Sequence, residues 1–567
     1  MPQRRRVSRF FVMSGWLSEF SPRKDIMAGV ALAGLLVPQG MAYAGIAGVR
    51  PEMGLYAAFA GLLVYAIFGT SRHLAVAATS SSAAMLAALL APLASNGSAR
   101  YFELASAAAV VAGVILLAAG FLRLGSASEF ISKPVLKGFV FGLALTIMVK
   151  QAHKFMGISS GHGNFFHQAW HVLKSLGEVN LWTLAVASAA LAIMFALDVV
   201  VPRIPSALVV LVLGTVAVPL FGLQQRSVEV LGTIQTTIPS LSWPRIGEDE
   251  LADIFVGALG IVLVLTAESL VAARTFAARH RYEINPNQEL CALGAANIAS
   301  GLAGGIIVGG GMSGTAANDA AGARTQGSAI TASLCVGLTL AFLLPLIRNL
   351  PEAVLAAIVI RAVAHLADVR TLKYYARIGT GSIWVALIAL IAVLQMGILK
   401  GLLFAVCLTL ILLMRKLSKP QDSVLGKLKG STDFVDVARY TDAKQVPGLL
   451  IFRPNGIVFF ANANRIRNRL RELVKQADPP VKTVLVNLEA SPEMDVTGLE
   501  MLQDFRSELQ DLGIVLWFVR VADPVRDLFI RSGFLERSEQ QFIFRSTATA
   551  VDAFFETTHS SFQGMSA

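Results

Sequence analysis

Two polar side chains interrupt the first long apolar segment of the chain, within the stretch VPQGMAYAGIAG. Pro38 cannot donate a backbone hydrogen bond to the carbonyl four residues earlier, so it breaks the regular helical pattern. Gln39 and Tyr43 lie four residues apart and therefore share one face of a helix. An amide and a phenol at this place belong either to a proline kink filled by core packing or to a polar site, and the residues alone leave both open.

A single acid lies in a second apolar stretch, LTAESLVAA, where Glu268 is the charged residue. An acidic side chain in the middle of a membrane costs at least ~2.5 kcal/mol, so such a residue is functional by default. Apolar surroundings favour the neutral form of the acid, which suits Glu268 to carry a proton. The alternative is a packing acid that stays protonated throughout.

Two further stretches, LAVAATSSSAAMLAALLAP and IIVGGGMSGTAANDAAGA, share one pattern: an extended run, then hydroxyl residues, then a helix of small residues. Thr79 and Ser313 are each predicted to cap such a short helix, and the second of these helices is predicted over residues 314–323. A helix N-terminus carries unpaired N–H groups and roughly half a positive charge, so two such ends that face each other make an anion site without an arginine. The residues expected in this site are Thr79, Ser80, Ser313, Gly314 and Thr315.

The chain contains two weakly similar halves. Laying LVPQGMAYA over LTAESLVAA places Gln39 on Glu268, an offset of 229 residues, and laying Ser80 on Ser313 gives a similar offset of 233. If each half holds about seven spans, the odd number turns the second copy over in the membrane, which gives an inverted repeat. Paired interrupted segments in such repeats are the best sequence indication of a transporter's binding site.

The composition places most of the chain in a membrane. Of 567 residues, 55% are apolar and 15% are charged, against roughly a quarter charged in soluble proteins. Apolar segments recur from about Ala28 to Met414, and at roughly 20 residues each they predict about fourteen spans, some short or broken. The net charge of +11 comes from scattered basic loops, which predicts membrane orientation and no nucleic-acid binding.

Loop charges also predict the orientation. Basic loops fall on the side of the N-terminal segment and include Lys133 and Lys137, whereas the stretch from Gln224 to Asp253 is acidic and is expected to be external. We therefore expect a multi-pass protein of the inner (plasma) membrane with both termini in the cytoplasm. The three cysteines have no neighbours at metal-ligand spacing, and no Walker-type nucleotide loop is present in the sequence, so we expect no cofactor, no metal and no enzyme activity.

The composition changes near RKLSKP, after which strands and helices alternate. GLLIFRPNGIVFF predicts a pair of strands, and KTVLVNLEA and IVLWFVRV predict one strand each. The predicted helices are NANRIRNRLRELVKQ, TGLEMLQDFRSELQDLG and PVRDLFIRSGF. The predicted domains are a cytoplasmic N-terminal segment (1–25), a transmembrane domain (26–416), a linker (417–445) and a soluble α/β domain (446–560).

Several stretches resemble signatures of the sulfate permease (SulP) family: VPQGMAYAGIAG, GTSRHLAV, NQELCALGAANIASGLAGG, SGTAANDAAGARTQ and LPEAVLAAIVI. The stretch LVNLEASPEMDVTGLEML resembles the STAS domain that follows the membrane part in this family. The resemblance implies an α-helical membrane protein of about fourteen spans in two inverted seven-span repeats, similar to the uracil transporters. It also implies a core (spans 1–4 and 8–11), a gate (spans 5–7 and 12–14), a homodimer, an elevator-like movement, and an anion pocket lined by the Gln39–Tyr43 face.

The function that this resemblance implies is secondary active transport of an inorganic anion, with sulfate the best guess. A bicarbonate transporter of the family holds sodium with an Asp and a Thr one turn on. Glu268 and Ala272 stand at the matching places here, which favours proton symport. Many relatives carry an Arg where this chain has Gly314, so a fixed cation is missing beside the anion.

Two alternatives stay open. One is a sodium- or proton-coupled carrier of bicarbonate or C4-dicarboxylates. The other is a membrane receptor that has lost transport and signals through its STAS domain, which we expect to bind a cytoplasmic protein in either case. Thr497 matches the residue that is phosphorylated in anti-sigma-factor antagonists, and its alternative role is a plain helix cap.

Overall fold

The computed structural model describes residues 20–125, 132–161, 163–201, 205–232, 241–364, 366–379, 381–419, 422–534 and 541–563. Most of the basic segment expected over residues 1–25, and part of the acidic external stretch, lie outside these residues. The chain divides into two compact units, Met1–Thr409 and Leu410–Ala567, which are described in turn.

The first half of the first unit is a series of helices with one short strand. The helices are α1 (Pro22–Ala47), α2 (Pro51–Phe68), α3 (Ser80–Leu90), α4 (Ala99–Phe121), α5 (Lys133–Met156), α6 (Phe165–Lys174), α7 (Leu181–Val200) and α8 (Ser206–Phe221), and strand β1 (Val76–Ala77) precedes α3. Proline opens α1 and α2, where its missing N–H has no helical partner to lose. Gly48 ends α1 in the left-handed conformation that glycine adopts without strain.

The second half is also a series of helices with one short strand. Its elements are α9 (Glu248–His280), α10 (Pro286–Leu302), β2 (Gly309–Gly310), α11 (Met312–Ala320), α12 (Gly327–Leu338), α13 (Glu352–Ala364), α14 (Val369–Ile378), α15 (Ser382–Met396) and α16 (Ile398–Leu417). Seven of the described helices are long and apolar enough to cross a membrane: α1, α2, α4, α5, α7, α9 and α16. Shorter apolar helices are α3, α8, α15 and the stretch Gly327–Leu343 that begins with α12.

Strands β1 and β2 pair antiparallel, with Val76 opposite Gly310 and Ala77 opposite Gly309. Glycine is needed here because a Cβ on Gly310 would lie 2.6 Å from the side chain of Leu74. The helix predicted over residues 314–323 runs instead over Met312–Ala320 and is capped by Gly311, not by Ser313. The pairing of β2 explains this shift, because the chain must turn directly after Gly310.

Two buried carboxylates tie the halves of the chain together. Asp25, at the start of α1, accepts hydrogen bonds from the backbone N–H groups of Arg324 and Thr325 at 2.8 and 3.0 Å. Glu289, at the start of α10, accepts from the backbone of Thr70 and Ser71 at 2.8 and 3.0 Å. Because several donors satisfy each buried acid, these contacts fix the loops that lead into β1 and α12.

The helices of the first unit pack in two groups. In one group α10 contacts α4 and α2, and α12 contacts α1. In the other group α5 contacts α13 and α15, and α13 contacts α7. Helices of the first group pack with their backbones close together. A Cβ on Gly301 of α10 would lie 2.5 Å from the carbonyl oxygen of Ser106 on α4.

The second unit is a sheet flanked by helices. It consists of β3 (Asp422–Leu428), β4 (Phe434–Asp436), β5 (Ala443–Lys444), β6 (Leu449–Pro454), α17 (Ala463–Gln476), β7 (Thr483–Asn487), α18 (Val496–Asp511), β8 (Val515–Val519), α19 (Asp523–Arg531), β9 (Ile543–Phe544) and α20 (Thr547–Gln563). The strand order is β4–β3–β6–β7–β8–β9, with β5 paired to β3. Strands β6 to β9 are parallel, and β3 runs antiparallel to β6.

Two boundaries in this unit differ from those expected. The segment 417–445, expected to be a linker, contains β3, β4 and β5, which extend the sheet beyond β6. The stretch after β6, expected to be a second strand of a hairpin, makes only an isolated bridge at Val458 to Met494. The remaining predicted helices and strands appear where the hydrophobic pattern put them.

Candidate functional site

A cavity of about 210 Å³ lies between α1, α5, α9 and the two short helices α3 and α11. We refer to it as the site cavity. All but one of the predicted membrane site residues line it: Gln39, Tyr43, Thr79, Ser80, Glu268, Ser313 and Gly314. Gln39 and Tyr43 come from α1 just past Pro38, so the interrupted helix borders this cavity and is not only a packed kink.

The N-terminus of α3 opens at this cavity. Thr79 caps the helix as predicted: its side chain accepts a hydrogen bond from the backbone N–H of Ser82 at 3.1 Å, and the Ser82 hydroxyl accepts from Thr79 in return. The N–H groups of Ser80 and Ser81 donate to no other group within the described residues. They are the free donors of the first turn.

The N-terminus of α11 opens at the same cavity from the other half of the chain. Gly311 caps it with extended backbone, and the first helical hydrogen bond runs from the N–H of Thr315 to the carbonyl of Gly311 at 3.1 Å. The free donors are therefore the N–H groups of Met312, Ser313 and Gly314. This set is one residue earlier than the one predicted.

Thr315 does not line the cavity. Its hydroxyl donates to the carbonyl of Gly311 at 2.7 Å and accepts from the N–H of Ala75 at 3.2 Å. The side chain therefore ties the first turn of α11 to the chain just before β1. The predicted contact of Thr315 with an anion does not fit this geometry, because both its N–H and its hydroxyl already have partners.

Glu268 reaches the site cavity from the middle of α9. Its Oε2 accepts a hydrogen bond from the hydroxyl of Ser81 at 2.7 Å. This hydrogen bond puts the carboxyl in direct contact with the first turn of α3. Glu268 is the only acid among the described lining residues. Ser81 was not among the predicted site residues, although it stands in the same TSSS run as Thr79 and Ser80.

Lys137 is the basic residue of the described cavity lining, and it was not among the predicted site residues. It stands on the second turn of α5, and its Nζ lies 3.6 Å from Oδ2 of Asp368. The side chain is 48% exposed, which places it at the opening rather than inside. The signal was present in the sequence, but Lys137 was counted only among the basic residues that set orientation.

A cluster behind the two short helices contains potential metal ligands: His73, His280 and Asp319. The rings of His73 and His280 stack face to face with centroids 4.3 Å apart, and both ring nitrogens of His73 already have partners, at Tyr282 and Ala323. The nitrogen lone pairs of stacked rings do not converge on one point. The cluster therefore fits a structural role better than a metal site.

Thr497 is the second residue of α18 and is exposed. The cap of this helix is Asp495, whose carboxylate accepts from the N–H of Gly498 at 2.7 Å. Thr497 is therefore not the cap that was considered as its alternative role. An exposed hydroxyl at a helix N-terminus is a suitable place for a phosphate, so phosphorylation of Thr497 stays a prediction.

The fold and the cavity define a helical membrane transporter that is followed by a separate α/β domain. The chain belongs to the sulfate permease family: residues 23–389 match this family, and residues 440–550 match the STAS domain. The resemblance read from the short sequence stretches is confirmed. Family members are transporters and not enzymes, which fits the prediction of a non-enzyme.

Relatives and solved structures agree with this assignment. The chain is 35% identical to a "Probable sulfate transporter" of Mycobacterium tuberculosis, over 94% of this chain and 95% of the relative. It is 28% identical to "Sulfate transporter 1.1" of Arabidopsis thaliana, over 96% and 88% of the two chains. In fold it is similar to the murine Solute Carrier 26 family member A9 anion transporter in the inward-facing state, with a TM-score of 0.89 at 20% identity, covering 97% and 96% of the chains.

A second solved structure covers only the membrane part. The transmembrane domain of a cyanobacterium bicarbonate transporter, BicA, matches with a TM-score of 0.59 at 24% identity, over 69% of this chain and 96% of that chain. At these identities both structures establish the fold alone.

Proposed function

We propose that this protein is a proton-coupled symporter of a small inorganic anion, with sulfate as the first candidate. The observation that carries the proposal is the site cavity, where the N-termini of α3 and α11 open beside the acid Glu268. The names of the curated relatives favour sulfate among inorganic anions.

The anion is held by backbone and hydroxyl groups. Each helix N-terminus offers free N–H donors and roughly half a positive charge, and two of them together approach the charge of one cation. Gln39 and Tyr43 add a side-chain amide and a phenol from α1. Lys137 at the opening supplies a full charge, which partly replaces the fixed cation that Gly314 does not provide.

Glu268 couples the anion to a proton. An ionised Glu268 places a negative charge against the first turn of α3, through Ser81, and therefore opposes anion binding there. Protonation removes that charge. Because linkage is reciprocal, a bound anion also favours the protonated acid, so the two ligands load together.

The proposed span arrangement is the inverted repeat of about fourteen spans. It is supported by the order of the helices, since α1 to α5 with α7 and α8 are followed by α9 to α13 with α15 and α16. The left-handed residues that end α1 and α9, Gly48 and Arg281, differ by 233 positions, as do the strands β1 and β2. This offset sets Gln39 and Glu268 one helical turn apart in the repeat.

The cavity lies where the two groups of packed helices meet. Gln39 on α1 and Glu268 on α9 belong with the short helices, whereas Lys137 belongs to α5 in the other group. Sliding of the first group past the second would carry the anion across the membrane, as in an elevator. A homodimer, cytoplasmic termini in the plasma membrane, and a protein partner for the STAS domain complete the proposal.

Uptake into proteoliposomes tests the proposal. We expect the purified protein to accumulate radiolabelled sulfate, and an inward proton gradient to increase the accumulation. Accumulation of bicarbonate or succinate instead of sulfate would show that the proposed substrate is wrong. Accumulation that depends on a sodium gradient rather than on a pH gradient would make sodium the coupling ion. Binding without any transport would support the receptor alternative.

A further inference from the structure

The C-terminal half of helix α5 borders a second cavity. This far cavity has a volume of about 680 Å³ and is lined by the last turn of α1, by α3, by residues 94–97 and by the second half of α5. Lys137 stands near the start of α5 at the site cavity, and Lys150 stands at the far cavity. The two lysines are 13 positions apart, which is about 20 Å along the helix.

The far cavity is lined by basic groups and by no acid among the residues that the structure describes. Three basic side chains come from one stretch of α5: Lys150, His153 and Lys154. Lys154 is neutralised, since its Nζ lies 2.9 Å from Oε2 of Glu352. Lys150 is half-buried and forms no ion pair with any described residue.

A half-buried ammonium group without a counter-charge is costly, so such groups are normally paired. The neighbouring groups in the far cavity offer hydrogen bonds but no negative charge, with Ser95, Asn96 and Ser160 on the walls and Gln151 only 7% exposed. This combination suits a small anion that takes its charge partner from Lys150 and its hydrogen bonds from the polar side chains.

We propose that the far cavity is a second anion-binding site, in which Lys150 binds a small inorganic oxyanion such as sulfate. Anion binding in the far cavity does not depend on the proposed function. Only the role of this second site in transport rests on it, and that role is to receive the anion on the side opposite to the site cavity. Helix α5 then presents Lys137 at the site cavity and Lys150 at the far cavity. An anion that leaves one cavity meets a positive charge at the other.

Thiol labelling measures this site without requiring transport. Ser160, an exposed wall residue of the far cavity, is replaced by cysteine in a full-length variant whose three native cysteines are replaced by alanine. The rate of modification is measured with a sulfonate-bearing and with an ammonium-bearing methanethiosulfonate, with and without sulfate. A second set carries Lys150→Gln, Lys150→Arg or, as the matched control, Lys174→Gln on the exposed end of α6.

We expect the sulfonate reagent to react faster than the ammonium reagent, and sulfate to protect the thiol against the sulfonate reagent. Lys150→Gln should slow the sulfonate reaction by about three- to tenfold, as expected for loss of one nearby charge, and should abolish protection. Lys150→Arg should keep both effects, and Lys174→Gln should change neither.

Unchanged rates and unchanged sulfate protection in a folded Lys150→Gln variant would overturn the second site. So would an equal loss in Lys174→Gln, because that result would assign the effect to general surface charge. If the parent protein transports no sulfate in proteoliposomes but still shows protection that depends on Lys150, the proposed function fails and the binding site stands.

Discussion

The hydroxyl of Ser81 donates a hydrogen bond to Glu268 over 2.7 Å, which joins the first turn of α3 to the middle of α9. The two residues are 187 positions apart in the chain. Through this contact the protonation state of one acid acts directly on the helix end that is proposed to hold the anion.

Replacing the acid should separate binding from coupling. Glu268→Gln mimics the protonated side chain, so we expect anion binding to persist while proton-driven accumulation is abolished. The measurement is sulfate uptake with and without an imposed pH gradient, beside a binding assay. Glu248→Gln, at the exposed start of the same helix, is the control and should behave as wild type. A Glu268→Gln protein that still accumulates sulfate on a proton gradient would move the coupling to another residue.

Adding charge at Gly314 tests whether α11 faces the anion. A Cβ there would meet its nearest atoms at 3.5 and 3.6 Å, so a side chain can start from this position without a backbone clash. Gly314→Arg should lower both the KM for sulfate and the maximal rate, because a unit charge adds to the helix dipole and slows release. Gly314→Glu should abolish binding by repulsion. Unchanged affinity in the Glu variant would exclude α11 from the site.

The lysine at the opening should contribute to affinity. Lys137→Gln removes the basic residue of the site cavity and its ion pair with Asp368, so we expect a KM for sulfate that is about three- to tenfold higher, with a weaker dependence on salt. Lys133→Gln removes an exposed charge from the first turn of the same helix and should have a small effect. Equal KM values for the two variants would assign Lys137 to membrane orientation alone.

Truncation tests whether the two units fold independently. Helix α16 ends at Leu417 and β3 begins at Asp422, so a chain that stops at Lys419 keeps every helix of the membrane part. We expect it to remain a folded dimer in mild detergent, with transport that is reduced but measurable. Size-exclusion chromatography and uptake give the readouts. Aggregation of the truncated chain would indicate instead that the STAS domain is required for folding.

An ion pair in the STAS domain predicts a pH dependence of stability. The guanidinium of Arg471, with help from Arg467, holds the pKa of Glu508 at about 2, below its unfolded value of about 4.3. The contribution of this carboxylate is therefore present above about pH 4.3 and is lost as the pH falls toward 2. Glu508→Gln should reduce the free energy of unfolding by about 1 kcal/mol at pH 7, because solvent screens this largely exposed pair.

The measurement is denaturant unfolding of residues 420–567 at pH 7 and near pH 2. The difference between wild type and Glu508→Gln should shrink toward zero at the lower pH. Glu500→Gln, exposed on the same helix, should leave stability nearly unchanged at both values. A difference that stays constant with pH would show that packing rather than charge is lost.

The membrane character of the chain, the interruptions in its helices and the acid at Glu268 could all be predicted from the sequence alone. These properties are local: apolar length, a proline that cannot donate, and a hydroxyl cap such as Thr79 are each encoded within a few residues. The helices and strands of the STAS domain after β6 were predicted for the same reason.

Only the tertiary structure decided which residues share a cavity. The pairing of β1 with β2 joins segments that are more than 230 positions apart, and it moves the cap of α11 from Ser313 to Gly311. In the same region the Thr315 hydroxyl is engaged with Gly311 and Ala75, and Ser81 contacts Glu268. Lys137 was predicted only to set orientation, and Lys150 was not singled out; the role of each depends on which cavity it borders. That depends on backbone packing between distant segments, which no local pattern encodes.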